Sequence, residues 1–225
     1  MSAALGWGAL AASSLVLGAL LGLARQWPDV AVGVVLAFGA GALISAVSFD
    51  LAQDGVEAGG GTAVGIGLAL GALTYYLADR ALPEGDAGPA LTLGAFLDGI
   101  PEQLVLGIGL AAGDGVSVGL LAAIFVSNLP EAIGSASGLH APPRKVIALW
   151  IAVAAICTLS TVAGFALADN VSGTFQGGVN GFAAGALLVM LIDSMIPEAT
   201  RKGGNIAGLV TVLGFAVAAA LTGIS

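Results

Sequence analysis

Short breaks, none longer than about ten residues, separate eight apolar runs of about 20 residues each along this chain. That length matches the hydrocarbon thickness a helix must cross, about 30 Å at 1.5 Å per residue. The pattern leaves little room for a soluble fold. Only 9% of the 225 residues are charged, against about 25% in ordinary globular domains. Mean hydropathy is +1.03. No period-2 alternation of the kind a barrel strand needs is visible, so the spans read as helices. The expected fold is an all-α integral membrane protein, residues 1–225 forming a single transmembrane domain. Its eight spans lie near 3–24, 29–51, 62–81, 90–112, 116–139, 145–168, 174–196 and 203–223.

Glycine makes up 36 of the residues. In membranes such residues bring helix backbones together, and Gly177, Gly181 and Gly185 form one small-residue ridge. The breaks carry turn chemistry, as in Trp27-Pro28-Asp29 and Ala141-Pro142-Pro143. The first span lacks a basic leader and reads as retained rather than cleaved. The one cysteine, Cys157, lies inside a span and excludes an internal disulfide.

Charge placement orients the chain. The six basic residues are Arg25, Arg80, Arg144, Lys145, Arg201 and Lys202, all at the first, third, fifth and seventh connections. The positive-inside rule puts those connections in the cytoplasm and both termini outside. The other connections carry only acids, Asp54, Glu57, Asp114 and Asp169, which suit an entrance that attracts cations.

The chemistry is concentrated in the fourth and fifth spans. Leu97-Asp98-Gly99-Ile100-Pro101-Glu102 returns 29 residues later as Val126-Ser127-Asn128-Leu129-Pro130-Glu131. Consecutive spans run in opposite directions, so these matched segments are the trace of an inverted repeat, whose interface commonly holds a transport site. A weaker echo joins the second and seventh spans, where Gly41-Ala42-Leu43 and Gly185-Ala186-Leu187 lead toward Asp50 and Asp193. Asp98 and Glu102 share a helix face, as do Ser127 and Glu131. Pro101 and Pro130 each release the carbonyl four residues earlier, at Leu97 and Val126. Lys and Arg occur in the spans only at their ends, so these acids are either protonated or hold a cation.

Those segments resemble the ZIP (Zrt/Irt-like) family of divalent metal transporters, whose fourth and fifth helices carry Pro-Glu-Gly motifs with histidine, asparagine or glutamine before them. Eight spans with both termini outside also match that family. By position, Asp98 stands at the family's first histidine and Gly99 at its asparagine. Glu102 and Glu131 match its metal-bridging glutamates, and Ser127 and Asn128 its polar pair on the fifth helix. The sixth-helix acid of some members falls near Ser160 and is missing. The chain therefore looks like a divergent member without histidine ligands. What the resemblance implies is uptake of Zn2+, Fe2+ or Mn2+ into the cytoplasm through a site of Asp98, Glu102, Ser127, Asn128 and Glu131, with one or two metal ions left open. Asp50 would serve the entrance and Asp193 the exit. Spans 1, 4, 5 and 6 would rock against spans 2, 3, 7 and 8. An all-oxygen site leans toward harder cations, although carboxylates also bind Zn2+.

The expected partners are the metal ion and the lipid bilayer, with a homodimer open and no nucleic acid. The default location is the plasma (inner) membrane. No prosthetic group and no enzymatic activity are expected: a diaspartyl protease using Asp50 and Asp193 would need the two side by side, and topology sets them at opposite faces. Two alternatives stay open, a proton-coupled carrier of another solute on the same fold and a transport-inactive homologue.

Overall fold

The computed structural model describes residues 1–24, 27–82, 87–112 and 118–222, and every regular element among them is helical. The elements are α1 (Ser2–Ala24), α2 (Asp29–Ala46), a π segment (Val47–Gln53), α3 (Asp54–Gly59), α4 (Gly61–Asp79), α5 (Ala87–Ala112), α6 (Val118–Gly138), α7 (Pro143–Leu167), α8 (Gly173–Met190), a second π segment (Leu191–Met195), α9 (Ile196–Gly203) and α10 (Ala207–Thr222). Short 3₁₀ turns follow α7 and α9. Helix ends fall close to the expected span limits. The exceptions are the second and seventh spans, which continue to Gly59 and Gly203.

Six helical segments among the described residues are long and apolar enough to cross a membrane. One of them, Gly173–Leu221, is 49 residues long, far more than one crossing needs. Gly204, with φ 61°, breaks it after α9, which makes seven membrane-capable helices. The positive φ suits glycine, which lacks the Cβ that would clash. Pro101 and Pro130 sit inside α5 and α6 without ending either helix. Proline within a membrane helix is tolerated where neighbours satisfy the freed backbone groups.

The helices pack as two groups. One apolar core joins α1, α6 and α7 to one face of α5, around Leu15, Ala95, Ala132 and Trp150. The other joins α2, α4, α8, α9 and α10, around Leu36, Leu43, Tyr75, Leu187 and Met190. The seam between them is made chiefly by α2 against α6 and α5 against α8. This grouping coincides with the two bundles that the resemblance implies.

Within the second group, backbone contact at glycine sets the approach. A Cβ on Gly41 would strike the Thr211 carbonyl of α10, and one on Gly185 the Leu68 carbonyl of α4. Three residues before each of these glycines stand Phe38 and Phe182, whose carbonyls lie against Gly214 of α10 and Gly71 of α4. Small residues at such crossings let dispersion contacts accumulate where no hydrophobic drive exists. Six residues after each, at Val47 and Leu191, the helix widens into its π segment.

Arg201 and Lys202 stand in the last turn of α9 at one end of the molecule. Lys202 of α9 bonds Glu198 at 2.9 Å and lies 3.8 Å from Asp29 at the start of α2. A cavity of about 520 Å³ at that end is lined in part by Leu23, Trp27, Asp29, Ser137, Leu139 and Lys202. It thereby brings together the end of α1, the start of α2, the end of α6 and α9. Gly59 and Gly173 meet at the opposite end.

Candidate metal centre

The matched Pro-Glu segments of α5 and α6 face each other inside the first group. Asp98, Ser127 and Asn128 are buried, Glu131 is fully buried, and Glu102 is partly buried. Asn128 Nδ2 donates to Glu102 Oε2 at 3.4 Å, tying the two segments together. The charges of Asp98, Glu102 and Glu131 interact with one another. Ser127 Oγ donates to the Ile124 carbonyl of its own helix at 3.1 Å.

Glu131 is the group least at home in a plain helix bundle. Its exposure is 0%, and neither carboxylate oxygen has a hydrogen-bond partner among the described residues. Leaving a buried acceptor unmade costs about 1–3 kcal/mol, and more for a charged one. Its Oε1 faces Gly94, where a Cβ would come within 3.1 Å, and Met190 closes the same space from α8. The Pro130 ring packs against Gly39 of α2, so the break in α6 lies directly on the seam.

Asp50 sits in the first π segment and interacts electrostatically with Glu102 across the seam. Asp193 sits in the second π segment, exposed, with Asp79 and Tyr75 as its charged and polar neighbours. The structure thus brings Asp98, Glu102, Asn128 and Glu131 into one region with Asp50 beside it, and leaves Asp193 apart. Among the described residues, no three His, Cys, Asp or Glu side chains stand close enough together to hold a metal ion. The acids are neighbours without forming a closed cage.

Sequence reasoning missed three features here. The π segments around Asp50 and Asp193 carry no composition signal. Met190 and Gly94, which enclose Glu131, read as ordinary core and packing residues. A buried pair, Thr161 Oγ1 donating to Gln103 Oε1 at 2.5 Å, joins α7 to α5 one residue beyond Glu102. The adjacency of Gln103 to the motif was its only trace in the sequence.

No family model matches the chain. The chain is similar to a protein of Arabidopsis thaliana named "Putative zinc transporter", with 31% identity over 196 residues. That similarity covers 79% of this chain and 30% of the plant protein, so the chain spans about a third of the length of the curated relative it matches. The likeness and the apolar helices together make this a multi-pass membrane protein similar to a metal transporter.

Proposed function

We propose that this chain is a ZIP-type carrier that moves divalent transition-metal cations of the Zn2+ class into the cytoplasm through the α5–α6 region. The observation that carries the reading is Glu131: a fully buried carboxylate whose two oxygens are unpartnered among the described residues, in a chain whose spans carry Lys and Arg only near their ends. A divalent cation is the partner that satisfies such a group while ionised. The plant relative's name supports zinc as the metal class.

Asp98, Glu102 and Glu131 supply the carboxylates, and Asn128 steadies Glu102. Because the acids do not form a closed cage in this conformation, the cation draws them together as it sheds water. Asp50 lies in the other helix group and interacts with Glu102, so it hands the ion across the seam. Asp193, exposed near the basic end, is assigned to release.

The eight-span reading adds α6 (Val118–Gly138), which is as apolar as α5 and α7, to the seven membrane-capable helices. An inverted repeat is supported by matched packing. Spans 2 and 7 each place a Gly-Ala-Leu glycine on a neighbour's backbone, at α10 and α4 respectively, and each widens six residues later. Contacts of α6 with α1 mirror those of α5 with α7, and α2–α6 mirrors α5–α8. Repeats of this kind support rocking of one group against the other around a fixed site. With the basic end in the cytoplasm, both termini lie outside.

Elemental analysis of cells expressing the chain, beside a Glu102→Ala, Glu131→Ala double variant, tests the reading. Accumulation of Zn2+ or a related divalent ion that disappears in the variant is the expected result. Metal profiles identical to the variant's, with flux of another solute driven by a pH gradient, would transfer the acids to proton carriage.

A further inference from the structure

α1 and α2 follow one another in the chain, yet among the described residues they barely touch; each packs on α6 instead. A Cβ on Gly18 of α1 would strike Ala132 of α6, and one on Gly22 would crowd Ala136. On α2, Gly39 meets Pro130 and Leu36 lies over Gly134. Position around α6 follows from about 100° per residue. With Pro130 as origin, Gly134 lies at about 40°, Ala132 at about 200° and Ala136 at about 240°. Ile133 at about 300° and Ser137 at about 340° fall in the arc left between α1 and α2. Glu131, at about 100°, is on the opposite side of the helix. The groove between α1 and α2 is therefore separate from the acids.

At the Lys202 end this groove opens into the cavity of about 520 Å³. Gly22 and Leu23 wall it from α1, Val32 walls it from α2, and Ala136 and Ser137 floor it from α6. Its polar lining carries both signs of charge. Lys202 reaches it from α9, held by Glu198 at 2.9 Å and 3.8 Å from Asp29. An ammonium has three N–H donors, so the two carboxylates leave one for a ligand. The Asp29 side chain is 78% exposed. Ser137 donates its hydroxyl to the Gly134 carbonyl at 2.9 Å, which leaves its lone pairs to accept. Trp27, whose indole donates to the Leu21 carbonyl at 2.8 Å, stands at the rim, as aromatic rings do at headgroup depth.

We propose that this cavity holds the headgroup of a phosphatidylethanolamine molecule, with an acyl chain lying in the groove between α1 and α2. Lys202 binds the phosphate, and Asp29 and Ser137 accept from the ammonium. The acid and the base that line the cavity cancel, so a zwitterion satisfies both. An anionic headgroup would meet Asp29 with nothing to offer it. A choline headgroup has no N–H to give Ser137. The volume falls within the range of about 300–1,000 Å³ typical of ligand pockets. α1 belongs to one helix group and α2 to the other, so the lipid bridges the two groups. Its binding favours whichever relative placement of them keeps the cavity open. The site stands on residues apart from the metal reading, and its failure would leave that reading untouched.

The test uses the purified full chain in detergent. Phosphatidylethanolamine, phosphatidylcholine and phosphatidylglycerol are added separately, with glycerophosphoethanolamine as the headgroup without chains. Phosphatidylethanolamine should raise Tm in proportion to its occupancy and persist as a bound adduct in native mass spectrometry. The other three should bind about 10-fold or more weakly, the scale of one lost hydrogen bond to a charged group. Asp29→Asn and Lys202→Gln should each weaken phosphatidylethanolamine binding by about 10-fold for the same reason. The two variants act at opposite ends of the headgroup, and monodisperse elution checks that each is folded. Equal Tm shifts from the three lipids, or tighter binding of phosphatidylglycerol, would overturn the proposal. So would native affinity in the folded variants. A shift from glycerophosphoethanolamine as large as that from the intact lipid would overturn a membrane lipid as the occupant.

Discussion

Asn128 of α6 donates its amide to Glu102 of α5 across 3.4 Å, so the two halves of the repeated motif are joined by a residue that only one half possesses. Position 99, the counterpart of Asn128, is glycine, which admits the Cys157 sulfur. The two halves are alike in backbone and have divided their side-chain roles. Asn128→Leu removes the donor while keeping the bulk. The expected effect is a rise in KM for metal of about 10-fold, equivalent to the 1.5–3 kcal/mol of a hydrogen bond to a charged group at its lower end. Concentration-dependent uptake in liposomes reads it.

Asp50 and Glu102 belong to different helix groups and interact across the seam. Asp50→Asn should weaken capture more than it slows the turnover of captured ions. Initial-rate measurements should give a raised KM, with maximal rate changed by less. An equal fall in both would place Asp50 in the central site instead.

Backbone contact at Gly41 and Gly185 leaves no room for a side chain. Gly41→Leu should push α10 off α2, and Gly185→Leu should push α4 off α8. Overpacking of this kind costs about 1–3 kcal/mol, read as a lower Tm in detergent. Gly65→Leu is the control, since a Cβ there meets nothing; its Tm should stay within experimental error of the native value.

Much of the architecture was legible because bilayer physics constrains sequence so tightly. Most helix limits agree with the expected spans within a few residues, whereas the second and seventh spans run on to Gly59 and Gly203. The link between Gly41-Ala42-Leu43 and Gly185-Ala186-Leu187 was faint as a string of letters. It becomes geometric once both glycines are seen on neighbouring backbones. Asp98, Glu102 and Glu131 were legible because ionisable groups in apolar runs are conspicuous. Cys157 was not, because a buried cysteine reads as a small hydrophobe, and only the register of α7 against α5 brings it to Gly99. The π segments were also hidden. Widening by one residue is a compromise between neighbouring helices, and no local propensity records it.

Proline at 101 and 130 keeps the Leu97 and Val126 carbonyls free of their usual helical bonds. Pro130→Ala would restore the α6 bond and stiffen the helix on the seam. The chain should fold with unchanged or higher Tm, while uptake falls severalfold. Full activity in Pro130→Ala would remove the break from the mechanism.

Metal binds carboxylates in their deprotonated form, so protons compete with it and affinity rises with pH. Uptake should therefore decline as the pH outside is lowered, with KM rising before maximal rate falls. A rate that instead grows with external acidity at fixed metal would favour proton carriage.

The central claim is that the unpartnered Glu131 carboxylate takes part in holding the transported cation. The most direct measurement is Zn2+ influx into liposomes containing the purified chain or its Glu131→Gln variant, which keeps shape and removes charge. The account predicts saturable influx for the native chain and background influx for Glu131→Gln, with both proteins eluting as folded species. Undiminished Zn2+ influx in Glu131→Gln would contradict it.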